Sequence, residues 1–509
     1  MLSQSDVLSQ SIDDRRRQPV HRVVMYLGVL LLLLAFVPHI PTTVTLPRAQ
    51  PDLLVWADGH PTSRVQVLVQ QQDTANLQDV LALWGGVITK DLPIIHAVAA
   101  EVPAGAIRAL AQAAGVRWVS LDAAMVSTGT TCTACISTTA TTCTTCISTT
   151  NLKNTYNRTI GADKVWNEAL HLQGQGIGVA IVDSGVYSSS DFTTSSGTSR
   201  IIAAKTFNNT TTSAVDSWGH GTHVAGIIGG NGAQSNGAYI GVAPGANLIN
   251  VKVGNDVGGV NESDVVAGLQ WIYNNRITYN IRVVNLSLNT SVAQSYHTSP
   301  LDAAVEILWF NKIVVVVANG NLGKNAFYPP ANDPYVMSIG AYDDMGTIST
   351  DDDQAATFSA YGKTSDGVRK PDLSAPGVNI ISTMPSSAAI ATAHLSNVIN
   401  PTYFKMSGTS MAAPMVAGAV ALLLQDEPNL TPDQVKYRLM ATARKMSGGR
   451  MGAGGLDVYA AVNGTTTASA NIGIAPSQFL TTGSQELTTG TWSAANWGAA
   501  NWNSDYWGN

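Results

Sequence analysis

The chain has 509 residues, too many for one ordinary core, so two or more folded units are expected. Charged residues make up only 12% of it and the net charge is −6, which excludes the clustered Lys and Arg of a nucleic-acid-binding surface. Thr, Ser, Asn and Gly fill the gap, giving a hydroxyl-rich surface rather than a disordered polyelectrolyte.

At the N-terminus, Arg15, Arg16, Arg17 and Arg22 precede the apolar run Val23–Val37, which Pro38 ends. The run has no polar face and falls short of the ~20 residues of a spanning helix. Residues 1–45 therefore read as a signal peptide or, because no A-x-A signal follows, as an uncleaved membrane anchor. Either reading exports the chain, to a secreted or cell-surface location where disulfides persist. A retained anchor is the route by which a membrane becomes a partner.

Residues 64–122 read as a compact α/β unit. "RVQVLVQ" alternates like a strand, and "DTANLQDVLALWGG" is helical, with Asp73 or Thr74 as its cap and Gly85-Gly86 as its stop. "HAVAAEVP" is a strand, "AGAIRALAQAAG" a helix ended by Gly115, and "VRWVSLD" a last strand. The pattern β-α-β-β-α-β is the ferredoxin-like plan, which by itself specifies no function.

All four cysteines then fall in "CTACISTTATTCTTCISTT", where Cys132 and Cys135 are repeated as Cys143 and Cys146. Two C-x-x-C pairs admit zinc, but the segment between them is short and its Ser/Thr filler offers no apolar support. A spacer whose cysteines pair between the repeats is the other reading, since two cysteines three apart close only a strained ring.

From Ala162 to Val462, continuous Val/Ile-rich runs ("GIGVAIVD", "NLINVKV", "RVVNLSL", "KIVVVVANGN") alternate with helical stretches such as "NESDVVAGLQWIYNN" and "DAAVEILWFNK". This predicts an α/β fold: a doubly wound, mostly parallel sheet flanked by helices, with its site at the carboxyl ends of the strands. Asp183 ends one such run, where it is either a turn residue or a carboxylate at the top of the sheet. "WGHGTHVAGIIGG" places His220 and His223 on one helix face, as metal ligands without a nearby third or as a general base beside a packing residue. In "FKMSGTSMAAPMVAGAVALLL", Ser410 opens a helix apolar on every side, either as a cap or pointing into a site at the helix's positive end.

Together, "VAIVDSGV", "GHGTHVAG" and "SGTSMAAPMVAG" closely resemble the three signature segments of the subtilisin-like serine proteases, the subtilase family (peptidase S8). The resemblance extends to "YIGVAPGANLINVKV", "VVNLSLN", "VVVVANGN" and "KPDLSAPGVNIIST". It implies a serine endopeptidase with Ser410 as nucleophile, His220 as base, Asp183 as the acid that orients it, and Asn321 as an oxyanion donor beside the Ser410 N–H. His223 maps to a non-catalytic position. The groove would be edged by Gly258 and Gly259 on one side and by Ser287, Leu288 and Asn289 on the other, with Asn319 and Gly320 at the first specificity pocket. An extended peptide would add there as a strand. Asn289 and Asn319 stand where the family commonly has Gly and Ala, and Glu262 where an aromatic often lids the fourth pocket, which would favour basic or polar side chains there.

The resemblance further implies that residues 60–126 are an inhibitory propeptide, acting in cis with its tail in the active site. Residues 127–153 become a junction spacer, 154–463 the catalytic domain and 464–509 a low-complexity tail, where Trp492, Trp497, Trp502 and Trp507 recur every five residues. Substrates would be proteins and peptides, and no cofactor is required for the chemistry. A structural calcium is left open: Asp191 matches a common ligand, but the loop "GGNGAQSNGAYIG" offers mainly Asn and backbone carbonyls. A non-catalytic adhesive protein using the same fold as a scaffold is the rival, against which the intact set of four residues weighs.

Overall fold

The computed structural model describes residues 48–72, 76–127, 147–167 and 171–480. The readings of the N-terminal apolar run, the cysteine repeat and the tryptophan repeat lie outside the described residues, as do Asp73 and Thr74. Four antiparallel strands, β1 (Arg64–Gln71), β2 (Val87–Leu92), β3 (Ala97–Pro103) and β4 (Val116–Leu121), form a sheet in the order β2-β3-β1-β4. Alternation along β1 and β3 divides their side chains between two cores. Val67, Val69, Ala100 and Val102 pack with helices α1 (Pro51–Gly59), α2 (Leu77–Leu83) and α3 (Ile107–Leu110). Leu68, Leu92 and Ala99 join the core of the larger unit instead.

Two details differ from the sequence reading. α2 starts at Leu77 with Asn76 as its cap, its side chain accepting the Gln78 N–H at 3.0 Å. The predicted helix 104–115 forms a 3-10 turn and then only α3, before Gly115 turns the chain at φ +87°.

The larger sheet is built from β6 (Gly178–Asp183), β7 (Ile201–Thr206), β8 (Asn247–Lys252), β10 (Ile281–Leu286), β12 (Val314–Ala318), β13 (Met337–Asp343), β14 (Gln354–Ala355) and β15 (Leu373–Pro376). Its order is β14-β13-β12-β10-β6-β8-β7, with β15 also on β13, and every pairing is parallel except β13 with β14. The Val/Ile runs of β6, β10 and β12 are buried on both faces, as parallel strands require. After β6 the chain builds outward to β7 and β8, then crosses to β10 on the other side. The carboxyl ends of β6 and β10 thus flank the point where the winding reverses.

Helix α4 (His220–Gly229) and helix α7 (Thr409–Asp426) pack on each other, and α7 also lies across β10, β12 and β13. Helices α5 (Glu262–Asn275) and α6 (Pro300–Phe310) meet the first sheet at β2 and at the turn Pro93–Ile95. β5 (Ala124–Ser127) continues from that first sheet and lies between β9 (Val260–Asn261) and β11 (Leu288–Thr290), antiparallel to both.

Candidate active site

Asp183 is the last residue of β6 and His220 the first of α4. Nδ1 of His220 lies 2.8 and 3.0 Å from the two carboxylate oxygens of Asp183, and both side chains are buried. A carboxylate only accepts, so Nδ1 carries the proton and Nε2 is left as the basic nitrogen. Burial opposes charge on the ring, but Asp183, and Asp216 at longer range, prevail and hold the His220 pKa above its ordinary value. Nε2 is buried and makes no hydrogen bond among the described residues.

The entry into α4 is held by a residue the sequence reading missed. Asp216 accepts from the Gly219 N–H, the Ser184 hydroxyl, and both the N–H and the hydroxyl of Thr222, at 2.6–2.9 Å. Ser184 in turn accepts the Gly221 N–H at 2.9 Å, tying the end of β6 to the start of α4. The signal available was a buried Asp just before a helix whose cap, Gly219, has no side-chain oxygen to offer. Gly219 itself sits at φ +108°, and a Cβ there would lie 2.8 Å from that of Ala388.

Ser410 lies at the start of α7, fully buried. Its Oγ donates to the carbonyl of Ser287 at 2.9 Å. Ser287 follows β10; its own hydroxyl donates to the carbonyl of Ser410 at 2.9 Å and accepts from Asn285 Nδ2 at 2.9 Å. Asn321 follows β12 and accepts, through Oδ1, the N–H of Thr409 at 3.0 Å and its hydroxyl at 2.9 Å. Two donors fix which end of the amide is oxygen, so its NH2 is the end left to donate elsewhere. The Thr409 hydroxyl also accepts the Gly320 N–H at 3.1 Å.

The structure also places the groove residues. Leu288 and Asn289 pair with Ser127 and Val126 of β5. On the other edge, Val260 and Asn261 pair with Met125 and Ala124, while Gly258 and Gly259 form the preceding turn. That turn is tied by the Asn255 side chain, which accepts the Gly259 N–H at 2.7 Å, and Gly258 has φ +86° against the Trp218 ring. Asn319 is buried and its amide is engaged with the Ala360 carbonyl at 2.6 Å and the Ser338 hydroxyl at 2.6 Å. Asn289 donates to the Ala318 carbonyl at 2.9 Å, and its buried Oδ1 has no partner among the described residues.

Glu262 is not a surface lid. It is fully buried, accepts the Leu301 N–H at the start of α6 at 3.2 Å, and its own N–H donates to the Ala123 carbonyl at 3.0 Å. Burial, with the neighbouring Asp122 carboxylate, pushes its pKa up to about 8. The chain leading into β5 meets its backbone at Ala123, which its position in the sequence does not disclose.

Asp191 does not fit calcium. Its carboxylate accepts the Gln234 N–H at 2.8 Å, the Thr383 hydroxyl at 2.7 Å and the Tyr403 hydroxyl. The buried Arg200 guanidinium takes the carbonyls of Asp191 at 2.8 Å, Gly229 at 2.5 Å and Ala246 at 2.8 Å. A fixed organic cation and three neutral donors already use the oxygens that a metal would need. His223 is likewise a packing residue: its Nε2 lies 3.0 Å from the Phe404 carbonyl, and burial pushes its pKa down to about 3. Among the described residues no group of three His, Cys, Asp or Glu is placed to hold a metal ion.

A mostly parallel, doubly wound sheet with the Asp183–His220 pair at the carboxyl end of β6, and a buried Ser410 bonded to Ser287 just after β10, has the arrangement of a serine hydrolase of subtilisin type. The sequence matches the model of the Subtilase family (Peptidase_S8) over residues 174–473. It is 41% identical over 299 residues to the serine protease AprX of Bacillus subtilis, covering 57% of this chain and 66% of that one. It is 34% identical over 300 residues to subtilisin Savinase of Lederbergia lenta, covering 58% and 95%. Among solved structures, fervidolysin of Fervidobacterium pennivorans, described as a keratinolytic enzyme related to subtilisin, superposes with a TM-score of 0.59 at 26% identity over 79% of this chain and 61% of that one. The chain belongs to the subtilase family of serine proteases.

Proposed function

We propose that the chain is an exported endopeptidase made as a zymogen, with Ser410, His220, Asp183 and Asn321 as its catalytic residues. The observation that carries this reading is β5, seated between β9 and β11 as the middle strand of a three-stranded sheet. A peptide substrate would occupy the same place, held by backbone hydrogen bonds that ask little of its side chains.

In turnover, the Ser410 hydroxyl rotates from the Ser287 carbonyl toward Nε2 of His220. Its oxygen attacks the scissile carbonyl while its proton passes to Nε2. The oxyanion is met by the Asn321 NH2, which the Thr409 bonds orient, and by the Ser410 N–H. In this family such a side-chain donor is worth about 3 kcal/mol of barrier. Asp183 stabilises the imidazolium, which then protonates the leaving amine. Water, losing its proton to His220, hydrolyses the acyl-enzyme and frees Ser410. No metal takes part in these steps.

Residues 60–126 act as the inhibitor, with residues 127–153 as the junction to be cut and 154–463 as the enzyme. The domain caps its host directly: Asp122 accepts the N–H and the hydroxyl of Ser263 at 2.9 and 2.7 Å, and Lys90 pairs with Asp264. Export rests on residues 1–45 as read from the sequence. The decisive experiment is Ser410→Ala: the protein should fold, fail to cleave casein, fail to react with a fluorophosphonate, and keep its N-terminal domain attached. Casein cleavage by the purified variant at the parent rate would overturn the assignment.

A further inference from the structure

Beyond α7 the chain returns across the catalytic unit as a strap that neither the triad nor the groove requires. Asn471 Nδ2 donates to the Tyr335 carbonyl at 3.0 Å, and the Tyr296 hydroxyl donates to the carbonyl of Ala475 at 3.1 Å. The Ser477 N–H donates to Glu306 Oε2 at 2.8 Å and the Gln478 N–H to the His297 carbonyl at 3.1 Å. These bonds fix a short turn, Gln478–Leu480, against α6.

That turn is met from the other side by the N-terminal domain. Arg117 of β4 donates to the carbonyls of both Gln478 and Phe479, the second at 3.3 Å. Its guanidinium carbon lies 5.7 Å from the centre of the Phe479 ring, and the Trp118 ring lies 6.2 Å from it at 56°. Phe479 is 9% exposed in this arrangement. A forked cation answering two carbonyls, over an aromatic ring, is a directional contact rather than a chance apposition of apolar surface.

We propose that Ala475–Leu480 forms a second inhibitory surface, remote from the groove, which recognises the N-terminal domain through Arg117 and Trp118 and prolongs its stay after the junction is cut. This rests on the zymogen reading above. Cleavage removes the covalent tether, so the lifetime of the inhibited complex is set by non-covalent contacts alone. β5 supplies those in the groove, and the strap supplies a set that substrate cannot displace by competing for the groove. The partner is this chain's own processed domain.

The test uses the full chain with Arg117→Ala, Phe479→Ala and the double variant, following processing by gel and activity by peptide hydrolysis. None of these residues touches the groove, so the fully matured enzymes should share one kcat/KM. Each single variant should shorten the interval between junction cleavage and full activity by roughly tenfold, and the double variant should add little more. Should Phe479→Ala lower the thermal stability of the matured enzyme, Arg117→Ala decides alone, because Arg117 leaves with the domain. A parent chain with a lag that both single variants leave unchanged would overturn the strap proposal and spare the zymogen reading. A parent chain active without any lag while the N-terminal domain is still covalently attached would overturn both.

Discussion

Ser287 and Ser410 are joined by a reciprocal pair of bonds: each hydroxyl donates to the other's carbonyl at 2.9 Å. One half of the pair holds the backbone of Ser410, the proposed nucleophile, and the other parks its hydroxyl. Only the second must break for attack, and Asn285, bonded to the Ser287 hydroxyl at 2.9 Å, keeps the first in place.

Ser287→Ala therefore removes the fixed half and leaves the Asn285 amide without its acceptor. A lost buried hydrogen bond of this kind is worth about 1.4 kcal/mol, so kcat should fall about tenfold. KM should move little, because the Ser287 carbonyl and the groove edge remain. Steady-state kinetics on a short peptide amide check this. A change confined to KM would mean that Ser287 serves binding rather than positioning.

The second prediction concerns pH. His220 works only when neutral, and Asp183 and Asp216 outweigh burial to raise its pKa. Activity should rise with pH through a midpoint above the ordinary histidine value of about 6.5 and then level off. Asp216→Asn removes one of the charges while keeping an acceptor, so it should move the midpoint down. The kcat/KM profile of the matured enzyme measures this, and a profile flat from about pH 5 to about pH 9 would contradict His220 as the base.

The third prediction concerns Asp191. Since Arg200, Tyr403, Thr383 and the Gln234 N–H already satisfy this corner, a chelator should leave the thermal midpoint where it is. Tyr403→Phe should instead lower stability by about 1.5–3 kcal/mol, the range for a hydrogen bond to a carboxylate. Thermal unfolding with and without EDTA and calcium distinguishes the two. A midpoint that calcium raises in the parent and not in Asp191→Ala would restore a metal at this site.

Asp191 also marks where sequence reading stops. The strands β6, β8, β10 and β12 were legible because parallel strands buried on both faces need unbroken apolar runs. The pairing of Asp183 with His220 was legible because short motifs carry their own turns and helix starts. β2 was counted in the β-α-β-β-α-β plan but its residues were not located, since they alternate between exposed and half-buried along a sheet edge and leave no apolar signature. Arg200 and the burial of Glu262 were hidden for another reason. Each is defined by a partner distant in sequence, and a charged residue in an open stretch looks the same whether or not the fold encloses it.

Glu262 supplies the last prediction. Its pKa of about 8 reflects burial first and the Asp122 carboxylate second, and Asp122 lies on the chain entering β5. The carboxyls that face it, Asp122 and Asp302, are also raised by burial, while Lys90 is committed to Asp264. A carboxyl raised in the docked state favours docking when protonated. Its contribution is complete below the ordinary carboxyl range near 4.5 and is lost as pH climbs toward about 8, beyond which it changes no further. The uncleaved Ser410→Ala chain isolates this effect from catalysis. Its thermal midpoint should fall from about pH 5 to about pH 8 more steeply than that of the same chain carrying Glu262→Gln, which keeps an acceptor for the Leu301 N–H but cannot ionise. In the processing enzyme, the N-terminal domain should then leave faster at pH 8 than at pH 6 by a factor that Glu262→Gln reduces. Parallel midpoint curves for the two chains would mean that Glu262 is charged in the docked state and contributes nothing to the pH dependence of release.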